Sequence, residues 1–419
     1  MKIDRRGFIG ISSAFSLAGC MGLKPCASGL NRTEWAKGHY QIHFIYTGRS
    51  ECMFHIFPDG TSMLLDCGDS MRFYGTPAAV PVPDLSCRAG EAAARYVRQV
   101  NPKGDFVDIL HLSHYHEDHA GGMRYHGGIL SDGRPLSGLS DAARFLKFSR
   151  VVDRAWPEFH DPVDVIGSES RDGTPRHMRL LYRHLAETQG TRIERFSLGS
   201  TSQFKAEGYE DFSVFNLCAN GRYVKKDGSV RDLYASQAAE FRAGRRKMLN
   251  ENALSCGMVI RYGNFSYFTA GDFSDGKRKD LKTGDIENEL AEAVGPVTVA
   301  KMNHHAHHSM PAGLVKALKA KVWTNCTLDQ QHCTDDSMMR MASRTLYVGE
   351  RVLLPTYMPQ NRRATKFGNS YLADVPLCVR QSPCHVVLDV TPGGNECVLF
   401  CYDAMRSGNP VVNEFCVQV

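Results

Sequence analysis

Four potential metal ligands follow directly after a short apolar segment, and they restrict the folds that this chain can adopt. The apolar segment is Val107–Leu112, and the next seven residues contain His114, His116, Asp118 and His119. Neutral imidazoles and carboxylates are the ligands that Zn²⁺ and similar borderline ions prefer. His114 and His116 are two residues apart, so they can point the same way from an extended segment. The pattern indicates a metal site where the chain leaves a buried strand; a polar surface loop is the alternative.

Stretches typical of strands and of helices alternate along the chain. Helical periodicity occurs at Glu91–Val100, at about His177–Thr188 and at Leu233–Leu249. Alternating or continuous apolar runs, typical of strands, occur at 40–46, 51–57, 107–112, 212–217, 258–262, 266–269, 297–302 and 321–324. We therefore predict an α/β fold. From about Arg351 strand-like pieces with Gly-Gly turns prevail, which predicts a small β-rich C-terminal extension.

Composition excludes several classes of protein. A chain of 419 residues, 42% of them hydrophobic, can bury a large core and is not a mini-protein. No run of about 18 apolar residues occurs, which excludes a polytopic membrane protein. The 14 cysteines contain no CxxC pair and are too dilute for a disulfide scaffold, so most are interpreted as buried thiols. The net charge of +5 neither requires nor excludes nucleic acid as a partner.

The first residues have the features of an export signal. Arg5 and Arg6 precede a mildly apolar stretch that is too short to cross a bilayer and ends in Leu-Ala-Gly-Cys at Cys20. The arginine pair resembles a twin-arginine signal, and the last four residues resemble a bacterial lipobox. We predict a signal peptide at 1–19, a lipid anchor at Cys20, a linker at 20–39 and a place in the cell envelope. The membrane is then a partner; an ordinary amphipathic N-terminus is the alternative.

Further candidate ligands occur far from the first group. Asp66 and Asp272 each follow an apolar strand-like run, and four histidines stand between residues 301 and 309, namely His304, His305, His307 and His308. So many histidines just after a strand are difficult to explain as core packing. Turn aspartates and a solvated histidine-rich loop are the alternatives.

In this order, the residues resemble the metal-binding signature of the metallo-β-lactamase superfamily, which implies an αββα sandwich. The resemblance implies that His114 and His116 hold one ion and that Asp272 bridges to a second ion. The second ion is then held by Asp118, His119 and His305. Asp118 would also accept a proton, and Asp66 would order the metal loop from behind. His304 is the alternative to His305, because adjacent residues at the end of a strand point to opposite sides.

A second resemblance concerns one branch of that superfamily. Asn252 to Ser255, the run ending at Asp272 and the pattern Lys301-x-x-His-His are similar to the extracytoplasmic hydrolase domain of the competence protein ComEC. Asn252 is therefore taken as a supporting residue behind the ligands. The chain departs from that branch at Ala306 and His307, where the branch has Gly and Ser. The general resemblance covers about residues 40–345, taken as the hydrolase domain, and leaves 346–419 as the extension.

One ligand of the dinuclear members is missing. It is a histidine at the end of a strand before Asp272, and the histidines of that interval, His126, His160, His177 and His184, follow no clear strand. The equivalent strand end holds Cys218, which could offer a thiolate but fits better as an isolated buried cysteine. Either two ions bind or only one, held by Asp118, His119, Asp272 and His305. Zn²⁺ is the expected cofactor, with Mn²⁺ as the alternative.

Two kinds of function fit these residues. A bound divalent ion gives a hydroxide nucleophile near neutral pH and polarises a carbonyl or phosphoryl oxygen, so the first is hydrolysis of a phosphodiester, ester or lactone bond. His307, His308 and His332 are candidates for contact with a small-molecule or phosphodiester substrate. The second is a lipid-anchored binding protein whose metal site is degenerate. Nucleic acid is a weaker candidate partner, through basic residues on a predicted helix, namely Arg242, Arg245, Arg246 and Lys247.

Overall fold

A computed structural model describes residues 34–70, 82, 86–123, 126–167, 173–246, 249–274, 286–327, 332–358 and 370–419. The predicted signal peptide, the lipid-bearing Cys20 and Lys247 lie outside these residues. The strands are β1 (Tyr40–Phe44), β2 (Cys52–Ile56), β3 (Ser62–Cys67), β4 (Phe106–His111), β5 (Lys147–Asp153), β6 (Arg192–Arg195), β7 (Phe212–Ala219), β8 (Arg222–Val224), β9 (Val230–Asp232), β10 (Gly257–Tyr262), β11 (Phe265–Ala270), β12 (Val299–Lys301), β13 (Val322–Asn325), β14 (Val352–Pro355), β15 (Cys384–Val390), β16 (Glu396–Asp403) and β17 (Val411–Gln418). The helices are α1 (Ala89–Val100), α2 (Glu117–Ala120), α3 (Leu139–Ala142), α4 (Thr174–Gln189), α5 (Ala235–Arg242), α6 (Ile286–Val294), α7 (Ala312–Leu318), α8 (Asp335–Ala342) and α9 (Leu377–Gln381). Among these helices, none combines the length and the apolar character needed to cross a membrane.

The strands form two mixed sheets. The order in the first sheet is β17-β16-β15-β1-β2-β3-β4-β5-β6, and in the second it is β14-β13-β12-β11-β10-β7-β8-β9. Strands β3 to β6 run parallel, as do β11 to β14, while β1, β2 and β3 form an antiparallel meander. Parallel neighbours require crossover connections, which is why helices follow β3, β4, β5, β11, β12 and β13.

The two sheets share one hydrophobic core. Phe44 and Ile109 from the first sheet belong to the same buried cluster as Val214 and Phe268 from the second. Helices α6 and α7 add apolar side chains to this cluster, and α1 and α4 pack with strands of the first sheet in a second cluster. The α/β fold expected from the alternating strands and helices is therefore confirmed, and so is the sandwich that the resemblance implied.

The residues after 345 complete both sheets. Strand β14 pairs with β13, and β15 pairs with β1 over five residue pairs from Tyr40–Val390 to Phe44–Val386. All seven residues of β15 are buried, because the strand lies inside the sheet between β1 and β16. The segment is β-rich, as expected, but its strands extend the sandwich sheets. The division of the chain at residue 345 remains a prediction.

The helix expected at 233–249 is much shorter, and this expectation was wrong. Helix α5 ends at Arg242, and the chain turns at Gly244, whose φ of +70° lies in the left-handed region that glycine tolerates. Arg245 and Arg246 follow this turn, so the basic residues do not share one helix face. Arg246 Nε lies 3.3 Å from a carboxylate oxygen of Glu240.

Candidate metal centre

The candidate ligands lie where strands of both sheets end. Strand β3 carries Asp66 near its end. The loop and the short helix α2 that follow its parallel neighbour β4 carry residues 113–119. In the second sheet Asp272 follows β11, and His304 and His305 follow the parallel neighbour β12. Because the carboxyl ends of parallel strands meet at one edge of a sheet, residues far apart in sequence come together at this edge.

Four of these residues form a compact buried group. One ligand atom from each of Asp118, His119, Asp272 and His305 lies within 4.8 Å of the other three. His119 Nε2 is 3.0 Å from Asp272 Oδ2, His305 Nε2 is 3.3 Å from the same oxygen, and His305 Nε2 is 3.5 Å from Asp118 Oδ2. Two ligands of a tetrahedral zinc ion, each about 2.0–2.1 Å from the metal, are about 3.3 Å apart. The distances match a group that surrounds one small cation.

Hydrogen bonds behind the two imidazoles fix which nitrogen faces the group. His119 Nδ1 lies 2.8 Å from Asp66 Oδ2, and His305 Nδ1 lies 2.9 Å from the carbonyl oxygen of Cys326. These acceptors require a proton on Nδ1, which leaves the lone pair of Nε2 directed into the group. Both Nε2 atoms are buried and face the carboxylate oxygen Asp272 Oδ2. With neutral rings, the two lone pairs and the carboxylate oxygens form a donor set that fits a divalent cation.

Asp66 holds the metal loop from behind. Its carboxylate accepts hydrogen bonds from the main-chain N–H and the hydroxyl of Ser113, each at 2.7 Å, as well as the bond from His119. Asp66 is fully buried and has a φ of +59°, a conformation that costs energy for a residue other than glycine. The surrounding bonds stabilise this conformation, so Asp66 and the loop constrain each other.

Charges in the group are strongly coupled. Burial alone would lower the pKa of His119, but the carboxylates of Asp272 and Asp66 outweigh it and raise that pKa to about 10. Burial alone would raise the pKa of Asp272, but the neighbouring imidazoles hold it well below its usual range. Protonated imidazoles thus balance the buried carboxylates when no cation is bound, and a divalent cation can supply the same positive charge.

Two charged residues to which the sequence analysis gave no role support the group. Glu51 Oε2 lies 2.9 Å from His305 Nδ1, and the Glu51 main-chain N–H donates to the carbonyl oxygen of Asp118 at 2.8 Å. Lys301 Nζ is completely buried, 3.5 Å from Glu51 Oε1 and 4.0 Å from Asp272 Oδ1. Lys301 stood in the sequence pattern beside the histidines, whereas no local signal marks Glu51, which reaches the group from the loop between β1 and β2.

His114 and His116 lie next to the four-residue group but are not part of it. His114 Nε2 is 3.2 Å from His116 Nδ1, and the ring centroids of His114 and His119 are 4.2 Å apart. Within the described residues, no third His, Cys, Asp or Glu joins this pair at ligand spacing. The nearby oxygen Asp272 Oδ2 faces His119 and His305. The four candidate ligands between residues 113 and 120 therefore lie close together. His114 and His116 form a pair, and Asp118 and His119 belong to the adjacent four-residue group.

The choice between His304 and His305 does not follow the alternation of a strand, so that argument was wrong. Residues 303–306 form a tight turn in which His304, His305 and Ala306 all have a left-handed φ, between 49° and 58°. His305 points into the four-residue group. His304 Nε2 instead lies 3.4 Å from the side-chain nitrogen of Asn252, and burial lowers the pKa of His304 to about 3.

The three candidate contact histidines lie beyond His305. The ring of His332 stacks on that of His305 with centroids 4.9 Å apart, and His307 lies 5.4 Å from His332. His308 is exposed, with its ring 4.5 Å from that of His307 and Nδ1 3.7 Å from Asp336 Oδ1. The imidazoles of His332, His307 and His308 form a row that leads from the four-residue group to the surface.

No described histidine of the interval between residues 120 and 271 joins the ligands. His177 is buried, with Nδ1 3.0 Å from the carbonyl oxygen of Gly121 and Nε2 2.5 Å from Ser140 Oγ. His160 and His184 lie next to surface aspartates, and His126 Nδ1 accepts a hydrogen bond from a neighbouring main-chain N–H. Cys218 lies in the core at the end of β7, where burial raises the pKa of its thiol far above the usual value.

Comparisons with known proteins find a likeness at the level of structure. No family model matches the chain, and no curated protein matches it. A solved structure described as a metal-dependent hydrolase of the β-lactamase superfamily is similar, with 15% sequence identity and a TM-score of 0.39. The similarity covers 76% of this chain and 97% of that chain.

Proposed function

We propose that this chain is a metal-dependent hydrolase that holds one divalent cation tightly through Asp118, His119, Asp272 and His305. The observation that carries this proposal is the convergence of four buried ligand atoms, from three separate segments, within 4.8 Å of one another. Buried polar atoms normally find hydrogen-bond partners. Here Nε2 of His119 and Nε2 of His305 both lie close to Asp272 Oδ2, and a cation between these atoms would satisfy all three.

The donor set supports zinc as the cation. Two imidazole nitrogens and two carboxylate oxygens suit Zn²⁺, and Mn²⁺ is the alternative because it also accepts carboxylate ligands. When bound, such an ion ionises a water molecule and polarises the oxygen of a scissile carbonyl or phosphoryl group. Metal analysis of protein that has been supplemented with zinc or manganese and then freed of excess metal tests this step. Less than about half an ion per chain contradicts it.

Asp118 is the best placed of the four to act on a proton. Its side chain is 10% exposed, whereas those of His119, His305 and Asp272 are at most 2% exposed. Positive charge on the neighbouring imidazoles outweighs burial and holds the pKa of Asp118 well below its usual range, so it is a carboxylate at neutral pH. A carboxylate at the mouth of the group can accept the proton that an attacking water releases.

The row of imidazoles supports an anionic or ester-type substrate. His332 and His307 follow His305 toward the surface, and imidazole N–H groups donate to phosphoryl or carbonyl oxygens. We therefore propose a phosphodiester, ester or lactone as the bond that is cleaved. A nucleic acid is one possible phosphodiester substrate under this proposal. Binding of a nucleic acid to the chain should weaken steeply as the salt concentration rises.

Turnover of chromogenic substrates by metal-loaded protein tests the proposed reaction. Bis(4-nitrophenyl) phosphate, 4-nitrophenyl acetate and a chromogenic lactone cover the three bond types. We expect Asp272→Asn to abolish turnover and to lower the metal content, because Asp272 Oδ2 faces both imidazoles. The matched control is Asp164→Asn, a surface carboxylate next to His160 that should leave both unchanged. Equal turnover by D272N and the parent chain, with metal retained, would remove Asp272 from the reaction.

One observation favours a binding protein as the second candidate function. The pair His114 and His116 has no third ligand at ligand spacing among the described residues. A chain that keeps one tight ion but lacks a second could bind a ligand without cleaving it. Tight metal together with absent turnover of all three substrates would favour this candidate.

We also propose, from the N-terminal sequence, that the chain is exported and anchored by a lipid at Cys20. Metabolic labelling with an alkyne fatty acid in a bacterial host tests the anchor, and Cys20→Ala should lose the label. Replacing Arg5 and Arg6 by lysine should retain the chain in the cytoplasm. Export that survives this replacement would contradict a twin-arginine route.

A further inference from the structure

Three cysteines meet on one face of the first sheet, near its β17 edge. Val386 of β15 lies opposite Cys401 of β16, and Cys384 is two residues from Val386, so both cysteines point to the same face. Asn413 of β17 lies opposite Cys401 and extends the same row. Helix α9 brings Cys378 to this row, because Asn413 Nδ2 donates to Cys378 Sγ at 3.6 Å. The fold thus places three thiols side by side.

Contacts between the sulfur atoms make Cys378 the centre of this cluster. The thiols of Cys384 and Cys401 both hydrogen-bond to the sulfur of Cys378. Cys384 and Cys401 are completely buried, whereas Cys378 is the only free cysteine of the described residues that is not buried. A reagent from solution can therefore reach the central sulfur before it reaches either neighbour.

The same contacts favour the thiolate form of Cys378. The S–H groups of Cys384 and Cys401 donate to its sulfur, as does the amide of Asn413, and together they outweigh burial and lower the pKa of Cys378 from 9.0 to about 4. The hydrogen bond to Cys378, together with burial, raises the pKa of each neighbour far above its usual value, so both neighbours remain thiols. The thiolate is the form of cysteine that attacks other sulfur atoms.

The spacing of the three sulfur atoms favours sulfur chemistry over a metal ion. Among the described residues, these thiols do not form a group of three ligands at metal spacing. A disulfide needs only two sulfur atoms in contact, and Cys378 has such a contact with each neighbour. Of the two neighbours, Cys384 has the larger effect on Cys378, so we take Cys384 as the partner.

We propose that Cys378 and Cys384 form a thiol–disulfide exchange site, at which an external disulfide oxidises the pair to an internal disulfide. The Cys378 thiolate attacks one sulfur of the external disulfide, whose S–S bond breaks, so that a mixed disulfide forms and one thiolate leaves. Cys384 then gives its proton to solvent, and its sulfur attacks Cys378 Sγ and releases the second external thiolate. Two protein thiols are oxidised, and the external disulfide is reduced to two thiols.

This site is separate from the proposed hydrolase. None of the three thiols belongs to the four-residue group that would hold the metal ion. The outcome of the experiment below therefore leaves the proposed function unaffected.

Oxidation of the reduced, metal-loaded chain with glutathione disulfide tests the proposal. Free thiols are then blocked with N-ethylmaleimide, and the chain is digested with trypsin and analysed by mass spectrometry. Trypsin cuts after Arg380, so a disulfide between Cys378 and Cys384 joins two separate peptides. The key variant is Cys384→Ser. The matched control is Cys397→Ser, which changes a completely buried cysteine of β16.

We expect joined peptides in the parent chain and in C397S. C384S should stop at the mixed disulfide, with glutathione on Cys378, because the second attacking sulfur is missing. Joined peptides that persist in C384S would overturn the assignment of Cys384. A parent chain whose Cys378 is still fully blocked by N-ethylmaleimide after oxidation would overturn the site as a whole.

The pH dependence of alkylation tests the parent chain by itself, which covers the case that C384S does not fold. The rate at which iodoacetamide modifies Cys378 should change less than about threefold between pH 8 and pH 5.5, because its sulfur stays a thiolate. An ordinary thiol with a pKa of about 8.5 would react roughly 200-fold more slowly at pH 5.5. A fall of that size at Cys378 would overturn the proposed site.

Discussion

The buried histidine of helix α4 should make the stability of the fold sensitive to acid. His177 lies in the interior between two hydrogen-bond partners, the carbonyl oxygen of Gly121 and the hydroxyl of Ser140. The neutral ring satisfies both partners, with Nδ1–H donating and Nε2 accepting. Burial lowers the pKa of His177 from 6.5 to about 4, although the bond to Gly121 acts in the opposite direction. Protonation would therefore place an unpaired charge in the interior.

The magnitude follows from linkage between protonation and folding. The unfolded chain binds a proton near pH 6.5 and the folded chain only near pH 4, so stability is lost as the pH falls through this window. The fall of the pKa from 6.5 to about 4 corresponds to about 3 kcal/mol of stability at most, and about 2 kcal/mol of it should be lost between pH 7 and pH 4.5. Because Gly121 ends the short helix α2 that carries Asp118 and His119, the same protonation should loosen the metal loop.

Urea unfolding of metal-free protein at pH 7 and pH 4.5 measures this effect. We expect His177→Gln to be less stable than the parent chain at pH 7 but to lose about 2 kcal/mol less stability on acidification. His184→Gln is the matched control, since His184 lies on the same helix with its side chain 28% exposed. The reasoning fails if H177Q and the parent chain lose the same stability between the two pH values.

Three further substitutions test the geometry of the metal centre. Asp66→Asn should weaken metal binding about 10–100-fold with little change in fold, because it removes the acceptor that directs His119. Competition with a chromophoric chelator measures the metal affinity, and an unchanged affinity contradicts this prediction. Gly68→Ala should lower the metal content sharply, since a Cβ at residue 68 would lie 2.0 Å from the carbonyl carbon of Asp118. Full metal occupancy in this variant would contradict the prediction and show that the loop can shift. Cys218→Ala should keep the parent metal content, because this thiol lies in the core, and loss of one ion per chain by elemental analysis would make Cys218 a ligand.

The convergence of the ligands could be predicted from sequence because each of them follows a strand. An apolar run and the polar residues after it are visible in one stretch of chain, and parallel strands place such residues at a common edge. Strand ends marked Asp118, His119 and Asp272 as candidates, and the resemblance implied their roles. The choice of His305 over His304 could not be predicted, since it depends on a left-handed turn at residues whose type gives no sign of it.

Contacts that depend on sheet register could not be predicted. Glu51 lies in a loop between two ordinary strands, and only the pairing of β2 with β3 and the packing of the two sheets bring it to His305. The carbonyl oxygen of Cys326 is a main-chain atom, which no residue type identifies. The end of α5 is a local feature, but Gly244 inside a helical pattern is a weak signal for a boundary.

The pairing of β1 with β15 sets the order in which this protein can assemble. Tyr40 lies opposite Val390, so a strand made early in synthesis must wait for about 350 further residues before its neighbour exists. Until then β1 presents an open row of main-chain donors and acceptors, which other chains could join. Completion of the first sheet is consequently a late event in synthesis.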